Sequence, residues 1–85
     1  MKHAGPEALG RLAPVLDRLR ALPGLVEKRP GVFYRRSRAF LHFHEDPQGL
    51  FADLRAADGI NFDRFKVDLA DGANALIAHA RALLS

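Results

Sequence analysis

"AFLHFHEDPQGLFADLR", residues 39–55, decides the fold. Apolar and polar side chains alternate on both sides of a turn, which is the period of a half-buried strand. The turn is "DPQG" (46–49), with Asp first, Pro second and Gly fourth, the preferences of a type I turn. Pairing Glu45 with Leu50 across it sets Phe43 opposite Ala52 and Leu41 opposite Leu54, an apolar face. The other face then pairs His44 with Phe51, His42 with Asp53 and Phe40 with Arg55. A slip of one residue would mix the two faces, so the pattern itself argues for this register.

Working outward, "VFYR" (32–35) has the same alternation. A three-residue turn at 36–38 would pair Phe33 with Leu41 and Tyr34 with Phe40. "EKRPG" (27–31) reads as a charged turn, and "RFKVDL" (64–69) as a fourth strand with Phe65, Val67 and Leu69 on one side. Residues 6–22 repeat leucine every three or four positions and read as a helix. Pro14 forces a bend or a restart there, because its ring meets the carbonyl of residue 10. "LPG" (22–24) stops that helix. Asp71 is placed to cap a last helix over 72–84, whose Leu76, Ile77, Ala80, Leu83 and Leu84 share one side. The expected fold is a single α+β domain over residues 1–85: an N-terminal helix, a three- or four-stranded antiparallel meander and a C-terminal helix, with the helices packed on one sheet face.

Composition narrows the function classes. A chain of 85 residues buries only about 60–65% of its unfolded surface, so a partner would add much to its stability. The absence of cysteine excludes disulfides, thiol nucleophiles and cysteine-bound zinc. The opening residues lack the apolar run of a signal peptide, and no segment approaches the ~18 apolar residues of a membrane span. A cytoplasmic protein with no membrane partner is expected. The net charge of +3, from 13 basic and 10 acidic side chains, is a weak pointer towards nucleic acid or another anionic surface.

The sheet face that helices cannot cover carries Tyr34, Phe40, His42, His44, Phe51, Asp53 and Arg55, joined by Arg64 and Lys66 if the fourth strand pairs. His42 and His44 point the same way from one strand, and Asp53 stands opposite, so the three suit a metal ion. The bland alternative is two half-exposed histidines, with His42 held by Asp53 across the strand pair. The chain is too short to close the barrel in which such histidine pairs usually sit, and no metal or cofactor is assigned. Catalysis lacks a nucleophile: the only serines are Ser37, in a turn, and Ser85, and there is no threonine. The sequence leans away from an enzyme. "YRRSR" (34–38) sets Arg35, Arg36 and Arg38 beside Tyr34 and Phe40, a mixture of charge and stacking faces that single-stranded nucleic acid uses. Tyr34, Phe40 and Phe51 also form an aromatic strip rimmed by charge, as association surfaces do. The leading expectation is a binding or scaffolding module that self-associates through this face into a homodimer. The alternative is nucleic-acid binding by the arginine hairpin.

The layout loosely resembles the YjbR-like group of small bacterial α+β domains. The likeness rests on a leading helix ending in "LPG" (22–24), then "EKRPGVFYRRSRAFLHFHED" (27–46), a meander and a closing helix. It implies the fold and a bacterial source. It implies no reaction, and the tryptophan often found in strands of that group is absent here.

Overall fold

The computed structural model describes residues 2–85 and has the expected α+β architecture, with more strands than the sequence suggested. The order is β1 (Lys2–His3), α1 (Pro6–Arg11), α2 (Ala13–Arg20), β2 (Val26–Arg29), β3 (Val32–Arg35), β4 (Arg38–Asp46), β5 (Gly49–Arg55), β6 (Phe62–Lys66) and α3 (Ala70–Leu84). Strands β2 to β6 form an antiparallel meander in chain order, and β1 pairs with the second half of β4.

The central hairpin has the register read from the sequence: Leu41 pairs with Leu54, His42 with Asp53, Phe43 with Ala52, His44 with Phe51 and Glu45 with Leu50. Its apolar face packs against α2 and α3. Phe33, Leu41, Phe43, Ala52 and Leu54 meet Leu12, Leu16, Leu19, Leu76, Ile77 and Ala80 there, all buried. The leading helix is broken at Leu12 between α1 and α2, two residues before Pro14. Leu12 still donates to Ala8, but Pro14 has no N–H to continue the ladder.

Four expectations are corrected. "EKRPG" is not a free turn. Its first residues belong to β2, which pairs with β3, Glu27 opposite Phe33 and Arg29 opposite Val32. Arg20 of α2 clasps Glu27 with two hydrogen bonds of 2.7 and 2.9 Å, and Glu27 also accepts from the Gly31 N–H at 3.1 Å. The β3–β4 turn has two residues, Arg36 and Ser37, since Arg35 pairs with Arg38 and Tyr34 with Ala39. Phe33 still pairs with Leu41, so Phe40 is the extra residue of a β-bulge. Adjacent bulge residues share a side, and Phe40 is buried in the core with Leu41 instead of lying on the open face. The strand expected over 64–69 is β6, the fifth of the meander, which runs from Phe62 and ends at Lys66, and Leu69 beyond it is exposed. Finally, α3 begins at Ala70 with Leu69 at its cap position. Asp71 lies inside the first turn, where its charge suits the helix dipole, and makes no cap hydrogen bond.

Candidate functional site

Two groups of side chains stand out. The first is on the open sheet face. His42 Nδ1 and His44 Nε2 approach to 2.7 Å, so one of them donates to the other. His44 Nε2 also lies 3.3 Å from Asp53 Oδ2. Asp53 is buried, and Arg64 of β6 clasps it, donating from Nε to Oδ1 at 2.8 Å and from Nη2 to Oδ2 at 2.9 Å. The sequence paired Asp53 with His42, but its carboxylate is used by Arg64 and approached by His44. The short strand β1 adds a third imidazole: His3 pairs with His44 in register and stacks on it at 5.2 Å. His44 Nδ1 is buried and makes no hydrogen bond of good geometry, while the backbone of Lys2 favours a proton on the ring.

Electrostatics set the protonation of this group. Hydrogen bonding to the Arg64 guanidinium holds the Asp53 carboxyl below the usual carboxylate range. Burial pushes both His42 and His44 below the ordinary imidazole value; His42 is lowered further by His44, while Asp53 opposes the effect at His44. At neutral pH the cluster is therefore two neutral imidazoles beside one ionised carboxylate.

The second group is a cleft of about 450 Å³ at the end of the sheet. The β3–β4 turn, the loop after β5 and the last turn of α3 enclose it. Its floor is Phe40 with Ala39, Ala56, Ala82 and Leu83, and its rim is Arg35, Arg36, Arg38 and Arg55. Backbone carbonyls hold three of these arginines. Arg35 donates to Leu83 O at 2.7 Å, near the C-terminus of α3 where cations are favoured. Arg38 and Arg55 both donate to Gly59 O, at 2.9 and 2.8 Å, and Arg55 also donates to Ala39 O. Gly59 has a φ of 73°, which glycine adopts freely. The Arg55 guanidinium lies 4.6 Å over the Phe62 ring. Among the described residues, no carboxylate lines the cleft and none forms an ion pair with any of the four arginines.

The turn that carries Arg36 is strained. Arg36 and Ser37 have φ of 52° and 68°, a conformation for which a two-residue hairpin would favour Asn-Gly. Such strain tends to collect where a side chain is wanted for function.

Of the candidate residues, Arg36, Arg38, Phe40 and Arg55 come together in the cleft, while His42, His44 and Asp53 form the face cluster. Tyr34 and Phe51 join neither. Lys28 covers Tyr34 at 5.3 Å, and Lys66 covers Phe51 at the same distance. Lys66 is itself tied to Gln48 O and Asp68. His3 lay outside the sequence reading because a two-residue strand gives no periodicity to read. No family model, curated protein or solved structure matches the chain.

Proposed function

We propose that the chain is a binding module for phosphate-bearing ligands, acting through the arginine cleft. The observation that carries this is the convergence of four arginines, unpaired with any acid, on one apolar-floored cleft. On β6, by contrast, the cations are neutralised locally, Arg64 by Asp53 and Lys66 by Asp68. Guanidinium groups present planar forks that match phosphate oxygens, and those in the cleft spend only some of their five donors on carbonyls. A cavity of this volume falls within the range of small-ligand sites. An apolar floor below a cationic rim suits an organic phosphate whose base or ring sits over Phe40.

Self-association through an aromatic strip is less well supported. Phe40, the middle of that strip, is 4% exposed and belongs to the core. Tyr34 and Phe51 remain, each under a cation.

The test is a fluorescence titration at low salt with two probes, a labelled single-stranded oligonucleotide and a fluorescent mononucleotide. Binding of either, weakened about tenfold or more by Arg36→Ala together with Arg38→Ala, supports the reading; each lost charged hydrogen bond removes about 1.5–3 kcal/mol. Affinity for the oligonucleotide alone identifies a nucleic-acid backbone as the source of the phosphate. Absence of binding to both probes at tens of micromolar would overturn it.

A further inference from the structure

We infer that the open face holds a divalent transition-metal site of the zinc or cobalt(II) type, formed by His42 Nδ1, His44 Nε2 and Asp53 Oδ2. This is independent of the arginine cleft. The three residues can offer ligand atoms that all lie within 4.8 Å of one another. Two imidazoles and a carboxylate are a donor set that such ions accept, with a fourth position left for water or another ligand. Two alternate residues of β4 and their cross-strand neighbour on β5 supply the ligands, so a paired sheet fixes their spacing.

Three features of the cluster favour an ion over a plain hydrogen-bonded pair. First, His44 Nε2 faces two partners at once, His42 Nδ1 at 2.7 Å and Asp53 Oδ2 at 3.3 Å, and a neutral ring has at most one hydrogen there. A tetrahedral ion would hold the two nitrogens about 3.3 Å apart, as bonds of about 2.0–2.1 Å require. A small side-chain rotation opens that gap. Second, Arg64 does not block the carboxylate. It takes one lone pair on each oxygen, and a carboxylate has about four such sites, so Oδ2 keeps one on its His44 side. The guanidinium then acts as the outer partner that orients a ligating acid. Third, His44 Nδ1 is buried and the backbone of Lys2 favours a proton on this ring. Ligation through Nε2 requires this, since the ring proton must then sit on Nδ1 and find an acceptor. The protonation states also fit, since metal ligation needs neutral imidazoles and an ionised acid. His3 stacks on His44 beside the site.

The experiment uses the untagged, chelator-treated chain titrated with Co²⁺ and, separately, Zn²⁺. One equivalent of Co²⁺ should bind and develop visible d–d absorption, and one equivalent of Zn²⁺ should displace it and raise the melting temperature. Asp53→Asn and His42→Gln should each weaken binding by at least about tenfold, whereas His3→Ala should change it little. Two variants are used so that one that folds poorly leaves the other to decide. No saturable binding by the wild-type chain would overturn the site. Binding that survives both Asp53→Asn and His42→Gln, or that is lost only with His3→Ala, would overturn it equally, because the ion would then be held elsewhere.

Discussion

His44 and His42 couple the folded state to pH. Burial is the largest influence on both and holds them below the ordinary value of 6.5. The unfolded chain takes up protons at these positions as pH falls through 6.5, while the folded chain does so only at lower pH. Stability from the two histidines is therefore complete above 6.5 and is lost as pH drops through their lower folded values. The groups facing them are His3, Asp53, Arg55 and Arg64. Asp53 is depressed below the ordinary 3.8, so its own contribution survives until more acidic conditions and does not blur this window. In the presence of chelator, the melting temperature should fall by several degrees between pH 7 and pH 5. His42→Gln should reduce that slope. A profile of the wild-type chain that stays flat to pH 5 would show that neither ring is held neutral by the fold.

At the scale of elements, Gly72 tests how α3 is seated. Its place in the first turn of a helix makes alanine the better residue by propensity, by about 1 kcal/mol. A Cβ there would collide with the backbone carbonyl of Lys66 at the end of β6. The clash outweighs propensity, because backbone cannot swing aside as a long side chain can. Gly72→Ala should cost about 1–3 kcal/mol, the usual penalty of overpacking, and lower the melting temperature in thermal denaturation instead of raising it. The same contrast between local and distant causes explains what could be read from the sequence. The β4–β5 register was legible because Leu41, Phe43, Ala52 and Leu54 alternate with polar residues around a strong turn. The bulge at Phe40 was not, since an aromatic ring fits either face and the preceding turn length was ambiguous. β2 was hidden because its four residues are mostly exposed and its pairing with β3 shifts register between Glu27 and Arg29, which leaves no alternation to read. For the site, alternation alone put His42, His44 and Asp53 on one face. The expected fourth strand put Arg64 there too, and it pairs with Asp53. His3 joins the group through a two-residue strand that the sequence does not mark. The cleft needed Gly59 and Leu83 to anchor its arginines, contacts that cross 21 and 48 positions of chain.

For the whole molecule, the radius of gyration of 11.6 Å is close to the roughly 12 Å expected of a compact domain this long. Three helices close one face of the sheet, so binding can use the remaining surface without the chain first having to fold around a partner. The net charge of +3 is small, and unspecific attraction from it alone would be weak. What the cleft adds is local: Arg35, Arg36, Arg38 and Arg55 in one place with no acid among them. This concentration makes a quantitative prediction. If a single strand seats one phosphate on each of the four arginines, the logarithm of its association constant should fall against the logarithm of salt concentration with a slope of about −2.8, since each neutralised phosphate contributes about −0.7 on a single strand. Removing Arg38 should bring the slope to about −2.1, and removing Arg36 as well to about −1.4, while Arg64→Gln should leave it unchanged because Asp53 already neutralises that charge. Measured by anisotropy over a series of salt concentrations, such a staircase separates a defined cleft from diffuse attraction. A diffuse field would give a slope that shifts equally whichever cation is removed, Arg64 included.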